Sequence, residues 1–508
     1  VSWGDSVGAP PAVSGSLSPQ VCGGVGSPRG PLDHLWSVAP SRSVGATKSK
    51  GIHMSFNTSR RARASVGIAA LAVVGLAACG GSSSTEESGA AMDTTDYSKW
   101  CDMKSELQGK TVSIYTSIVT PEDAPHKESY KEFEECTGIT IKYEGDKDFE
   151  KNLPQRAQSG NLPDIAFIPQ PGLLATMADT GKMVPAPEST AKMVDEHFGE
   201  DWKKYGTVGD TFFAAPLGAN VKSYVWYSPK TFTDKGYEVP ETWDDLMTLT
   251  EKIAADDSSA KPWCAGFGSG TATGWPGTDW LEDTLLRTAD AETYDKWVAH
   301  EIPFNDPKVA EALAADAKIL KESKYVNGGF GDVKSIATTT FQDGGQPILK
   351  NKCYMHRQAS FYAANWPKGT KVAEDGDVWA FYLPSNGEEK PVLGGGEFVA
   401  AFRDAPEVKA FQTFLASPDW ANAKAKATTS GGWVSANKGL DPKNLVSPLD
   451  QQSAEILQDP KAVFRFDGSD MMPSAVGAGT FWSEMTNWIN GQDDKTTLDN
   501  IEKSWPSS

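Results

Sequence analysis

Residues 111–168 read TVSIYTSIVTPEDAPHKESYKEFEECTGITIKYEGDKDFEKNLPQRAQSGNLPDIAFI. Thr111–Tyr115 alternates apolar and polar residues, the mark of a strand with one covered face. Tyr130, Phe133 and Cys136 then recur at helical spacing, and Gly138 supplies a stop. Ile139, Ile141 and Tyr143 alternate again. Phe149–Ser159 reads as a short polar helix ended by Gly160. Pro163–Ile168 is nearly all apolar, as expected of a strand buried on both faces. Strand, helix, strand, helix, strand predicts an α/β fold built on a parallel sheet under helices.

Beyond this stretch a second lobe is expected after Asn220. Tyr224–Tyr227 reads as a strand. Thr242 caps a predicted helix Trp243–Ala255 whose Leu246, Leu249 and Ile253 share a face. Asp306 and Pro307 open a helix Lys308–Lys324 with Ala310, Leu313, Ala317 and Leu320 as its apolar stripe. Val378–Tyr382 is a strand that leads back toward the first lobe near Gly394–Gly396. Val408–Leu415 is a helix, and Gly431-Gly432-Trp433 introduces a helical C-terminal part. A chain crossing more than once between lobes predicts a cleft with a multi-strand hinge.

Arg60, Arg61 and Arg63 precede an uncharged run, Ala64–Ala78, and then Cys79-Gly80-Gly81. A positive start, an apolar run of about 15 residues and small residues at a cleavage point form an export signal, too short to span a bilayer. Leu76-Ala77-Ala78-Cys79 resembles the lipobox of bacterial lipoproteins, which implies cleavage before Cys79 and lipid attachment to it. Residues 1–53 lack apolar periodicity and precede a plausible start at Met54, so they read as a non-native or untranslated leader. The expected division is signal 54–78, lipidated tether 79–99, first lobe 100–222, second lobe 223–393, first-lobe return 394–428, and a C-terminal part 429–508 closing onto the second lobe.

The formal net charge is −19. Seven basic and only two acidic residues fall within 1–78, so the exported part is more acidic still. Such a surface repels nucleic-acid phosphates and anionic headgroups, which excludes nucleic acid as a partner and leaves membrane contact to the lipid. Cys101, Cys136, Cys264 and Cys353 allow three pairings. Proximity in sequence favours Cys101–Cys136 and Cys264–Cys353, in keeping with an oxidising compartment. Neither C-x-x-C spacing nor a histidine cluster is present, so no metal site and no cofactor are expected.

Several segments together resemble the solute-binding proteins of carbohydrate ABC importers. They are Leu162–Phe167 (LPDIAF), Ala214–Asn220 (AAPLGAN), Val225–Lys230 (VWYSPK), Pro240–Leu246 (PETWDDL), Gly274–Trp280 (GWPGTDW) and Met471–Gly479 (MMPSAVGAG). The last two are similar to the α-glucoside-binding group of the maltose-type family, as is the Cys264–Cys353 pair. The resemblance implies a two-lobe type II binding-protein fold, closure of the lobes on a di- or oligosaccharide, and delivery to a membrane permease. With no sign of oligomers in the sequence, a monomer is expected, and no catalysis.

The residues themselves point the same way. A sugar presents hydroxyls and flat C–H faces, so its site needs aromatic plates and hydrogen-bond acceptors. Of 17 tryptophans, several sit in glycine-rich loops instead of on periodic faces. Trp275 lies between Gly274 and Pro276, four residues before Asp279. Trp433 follows Gly431-Gly432, Asp470 ends the run DGSD, and Trp482 follows Gly477-Ala478-Gly479. These four loops supply the expected contacts Trp275, Asp279, Trp433, Asp470 and Trp482. Asp279 also stands where a cap for a helix Trp280–Arg287 belongs, and Asp470 where a cap for a helix after Met471 belongs. Tyr227 and Asn220 sit near the expected crossing between lobes. Gln170 and Asp148 follow strand ends, where open α/β sheets bind ligands. Trp243, Trp263, Trp280, Trp297 and Trp379 read as packing residues. Paired carboxylates would also suit a glycoside hydrolase, but from Cys79 onward G-x-S-x-G, H-E-x-x-H and G-x-x-x-x-G-K-[ST] are all absent, and the four histidines there, His126, His197, His300 and His356, hold no metal spacing. Tryptophan with acids also suits a polyamine-binding protein of the same fold.

Overall fold

The computed structural model describes residues 96–506. The leader, the signal segment, Cys79 and most of the tether lie outside them. The opening stretch folds as its pattern predicts: strands Thr111–Thr116, Thr140–Gly145 and Ile165–Ile168 run parallel, with the first in the middle. Strand Phe398–Ala401 adds antiparallel beside Ile165–Ile168, and Ala214–Pro216 completes five strands. The helix predicted around Phe133 is two helices, Asp123–Ser129 and Lys131–Thr137, that meet at Tyr130. Gly138 ends the second in the left-handed conformation, which glycine adopts at little cost.

A second sheet holds Tyr224–Tyr227, Lys261–Trp263, Cys353–Arg357 and Trp379–Tyr382. Its core contains Trp263, Trp280, Trp297 and Trp379, with Trp243 packed at the edge, which is the packing role expected of them. Both disulfides form as proximity suggests, Cys101–Cys136 and Cys264–Cys353. Each adds roughly 2–4 kcal/mol by restricting the unfolded chain.

Between the sheets lies a third, small one. Asn220–Val221 pairs antiparallel with Gly394–Gly395, and Lys390–Gly395 runs parallel to Ala462–Phe466. These are the chain's crossings between lobes. A Cβ on Gly396 would stand 2.2 Å from the carbonyl of Gly218, so the segments flanking the crossing strands touch too closely for any larger residue there. Trp433 and Leu445 pack into the core of the first sheet, whereas Leu449, Met472, Phe481, Trp488 and Ile501 join that of the second.

Two cap assignments need correction. The helix expected at Trp280 begins five residues earlier and spans Trp275–Thr288, with Gly274 as its cap residue and Pro276 in its first turn. Proline lacks the N–H that a first turn leaves unpaired, so it favours that position and draws the start forward. Asp279 is thus inside the helix. The short helix Gly468–Met471 likewise starts before Met471, because Asp467 accepts the amide of Asp470 at 2.9 Å. Helix Pro307–Leu320 stops short of the predicted Lys324. Among the described residues, no helix is long and apolar enough to cross a membrane.

Candidate ligand-binding site

A cavity of about 210 Å³ opens between the lobes. The first lobe contributes the carboxyl ends of its three parallel strands, through Ser117–Val119, Lys147 with Glu150, and Pro169 with Gln170. Such ends converge on a crevice in open α/β sheets. The crossings contribute Asn220, Lys222, Gly395–Glu397, Asp467, Ser469 and Asp470, and the second lobe Trp275, Phe341, Phe361 and Trp482. Two contacts join the lobes: Asn365 Nδ2 donates to Glu122 at 3.0 Å, and the Thr271 amide to Asp148 at 3.3 Å.

Trp275 is half-buried on the wall. Phe341 stands edge-on to it at 5.1 Å, and Phe361 tilts against it at 6.0 Å. Its pose follows from Gly274, whose φ is +114° and where a Cβ would fall 2.0 Å from the carbonyl of Trp482. Only glycine combines that angle with that approach, so one residue sets two wall aromatics side by side. Buried polar atoms of the wall lack a partner within the described residues: Gln170 Oε1, Asn220 Oδ1 and Trp482 Nε1. A buried polar group without a partner costs about 1–3 kcal/mol, so these atoms favour a ligand rich in hydroxyls.

Behind Asp470 lies a buried charge network. The Lys222 ammonium reaches Asp279 at 3.1 Å, Asp467 at 2.5 Å and Asp470 at 4.0 Å. Arg357 donates to Asp279 at 3.2 Å and to Asp283 at 2.8 Å. Arg287 bonds Asp283 and the carbonyls of Leu383 and Pro391. Glu282 accepts the amides of Gly468 at 2.7 Å and Ser469 at 3.0 Å. The network therefore fixes the segment that presents Asp470. Burial opposes charge on Lys222, but its three carboxylates hold the ammonium well above its ordinary pKa. Burial, reinforced by Asp467, pushes the Asp470 carboxyl well up from its ordinary range.

Of the expected contacts, Trp275, Asp470, Trp482, Asn220 and Gln170 line this cavity. Trp433 lines a smaller pocket adjoining it. Asp279 is fully buried in the charge network. Asp148 does not line the cavity and instead accepts the Thr271 amide from the other lobe. Tyr227 packs on Phe232 and Phe381 in the second lobe's core, centroids 4.6 and 5.4 Å away, so it lies past the hinge instead of in it. Lys222, Glu122, Glu150, Glu397 and Asp467 went unforeseen. For Lys222 and Glu397 the sequence signal is a charged residue inside an apolar or glycine-rich run, as in Asn220-Val221-Lys222 and Gly395-Gly396-Glu397, whereas Glu122 and Glu150 stand in ordinary charged stretches that carry none.

Burial also pushes Glu122 and Glu150 up to about 7, and Asp450 likewise. A folded pKa above the unfolded one means the folded protein binds more protons between the two. These groups thus stabilise fully below about pH 4 and progressively less as pH rises through 7. The melting temperature is expected to fall between pH 5 and pH 8. The slope should flatten in Glu150→Gln, and scanning calorimetry at four pH values reads both.

The family of bacterial extracellular solute-binding proteins matches residues 116–422. The alpha-glucosides-binding periplasmic protein AglE of Rhizobium meliloti (strain 1021) is 38% identical over 415 residues, covering 79% of this chain and 88% of that one. The osmoprotective compounds-binding protein GgtB of Synechocystis sp. (strain ATCC 27184 / PCC 6803 / Kazusa) is 40% identical over 402 residues, covering 78% and 93%. Among solved structures, maltose-bound MalE3 of T. maritima superposes with a TM-score of 0.61 at 16% identity, covering 78% of this chain and 98% of that one. That likeness fixes the two-lobe, type II binding-protein architecture. With the family match spanning most of both lobes, and relatives near 40% identity along more than three quarters of its length, this chain belongs to the bacterial extracellular solute-binding proteins.

Proposed function

We propose that the protein is the substrate-binding component of an ABC importer and captures an uncharged α-glucoside, a di- or oligosaccharide, by lobe closure. The observation that carries this reading is that the half-buried Trp275 plate lines one interlobe cavity together with the unpartnered acceptors Gln170 Oε1 and Asn220 Oδ1. A pyranose face stacks on an indole while its hydroxyls reach the surrounding amides and acids. Similarity to AglE supports the α-glucoside class. The ligand docks on one lobe, the crossing strands Asn220–Val221, Lys390–Gly395 and Ala462–Phe466 act as the hinge, and the other lobe covers it. The closed monomer delivers its cargo to a membrane permease, held nearby by lipid on Cys79. In this reading 100–222 and 394–428 form one lobe and 223–393 the other, with 429–508 completing them. No bond in the sugar breaks.

A polyamine is the second reading, favoured by the carboxylates Glu122, Glu150, Glu397, Asp467 and Asp470 around the cavity. The Lys222 ammonium, already held among Asp279, Asp467 and Asp470, argues against it, since it repels a second cation there. Titration calorimetry with maltose, trehalose, sucrose and putrescine decides between them. A sugar at a hundred times its Kd should add about 2.7 kcal/mol of stability, visible as a rise in melting temperature. Binding of putrescine alone would overturn the sugar reading, and glucose release from maltose would make the protein a hydrolase.

A further inference from the structure

Two helices of the first lobe begin with acids that cap nothing in their own helix. Glu122 stands at the cap position of Asp123–Ser129 and Asp148 at that of Phe149–Ser159, and neither side chain accepts an amide of the turn it heads. An aspartate at a cap ordinarily does. Beside Asp148 the local work falls to Asp146, which accepts the Asp148 amide at 2.9 Å and Asn152 Nδ2 at 2.8 Å. The freed carboxylates accept from the second lobe instead. Glu122 takes Asn365 Nδ2 at 3.0 Å, and Asp148 takes the Thr271 amide at 3.3 Å.

Both donors are held in place by their own lobe. Gln346 Nε2 donates to the Asn365 carbonyl at 2.9 Å and to that of Gln342 at 3.2 Å, which fixes the turn carrying Asn365. Thr271 lies in the short helical turn Gly270–Ala272, closed by Thr273, whose Oγ1 donates to the Gly270 carbonyl at 2.7 Å and accepts the Ser269 amide at 2.9 Å. Gly270 has a φ of +59°, and a Cβ on it would stand 3.3 Å from Asp148 Oδ1, so a larger residue would crowd the contact. A hydrogen-bonded pair with both partners already ordered loses little entropy when it forms.

Each pair joins elements of different sheets. Glu122 and Asp148 follow strands Thr111–Thr116 and Thr140–Gly145 of the first, and Thr271 and Asn365 follow Lys261–Trp263 and Cys353–Arg357 of the second. Rotation about the crossing strands parts donor from acceptor in both. Asp148, Thr271 and Asn365 do not line the cavity, whereas Glu122 does. A bond made only in the closed form shifts the open–closed balance, and such a shift changes the affinity of every ligand held by that form by the same factor. We infer that Asp148 and Asn365 are positioning residues of a closure latch: with Thr271 and Glu122 they hold the shut cleft and set how tightly and how long it keeps a solute that they do not touch. This rests on the closure reading above and adds to it a control of affinity separate from the choice of sugar.

The test is calorimetry and stopped-flow tryptophan fluorescence with methyl α-glucoside, maltose, trehalose, sucrose and putrescine. The proteins are wild type, Asp148→Ala, Asp148→Asn, Asn365→Ala and the double alanine variant. Each alanine should weaken every bound sugar by one common factor, roughly three- to tenfold, the worth of one half-exposed hydrogen bond. The loss should appear as faster dissociation, with association within about twofold of wild type. The double variant should lose about the product of the two factors. Asp148→Asn keeps an oxygen for the Thr271 amide and should recover most of what Asp148→Ala loses. A loss confined to one sugar, a loss in association instead of dissociation, or alanine variants that bind as tightly as wild type would overturn the latch while the carbohydrate reading stands. If putrescine alone binds, the sugar reading falls and the same comparisons on putrescine judge the latch. If no probe binds, both readings fall.

Discussion

Replacing Arg357 with methionine is expected to lower the unfolding free energy by about 3–5 kcal/mol at pH 8. The guanidinium is 2% exposed and serves Asp279 and Asp283 together. Methionine fills much of the volume, so the loss is electrostatic: two buried acids lose a cation, and burial already pushes Asp279 up to about 7 despite Lys222 and Arg357. Without Arg357 that folded pKa rises further, and the variant binds a proton on folding across a wider window. A raised carboxyl stabilises at low pH and loses that stability as pH climbs. The penalty should therefore shrink toward pH 5.5. Urea melts at pH 5.5 and pH 8 measure it, and a loss below 1 kcal/mol at pH 8, or one independent of pH, would show that the network carries little.

Replacing Trp275 with alanine should weaken disaccharide binding by roughly 30- to 100-fold, about 2–3 kcal/mol. The indole is the largest half-exposed apolar plate of the cavity, and Phe341 and Phe361 brace it from the second lobe. Its loss removes stacking area and widens the cavity, so the lobes close on water. Trp275→Phe keeps a smaller plate and should retain much of the affinity. The free protein is expected to remain folded, because the ring is not part of either lobe's buried core. Calorimetry on the two variants checks the order, and an alanine variant that binds within threefold of wild type would sink the platform role.

The strands and most helices were legible because their signals are local. Alternation in Thr111–Tyr115, the apolar run at Ile165 and the cap at Thr242 each lie within a few residues of the element they define. Trp275, Trp482, Gln170, Asn220 and Asp470 were also legible as wall residues, since large aromatics beside glycines and polar groups after strands stand out in one dimension. Asp279 was not. Its neighbours suggest a cap or a sugar contact, yet its partners are Lys222, 57 residues away, and Arg357, 78 away.

By itself, then, the sequence determined the α/β alternation and the chemistry available to the cleft, and it favoured the two disulfide pairs that the fold makes. Tertiary structure alone decided which acids face the ligand and which are spent on buried cations. Lys222 bonds Asp467 across 245 residues. Periodicity and caps are written by bonds that span one turn or one pleat, whereas charge pairing and desolvation depend on distance through space. Only the folded crossing of three hinge strands brings those distances down to hydrogen-bond length.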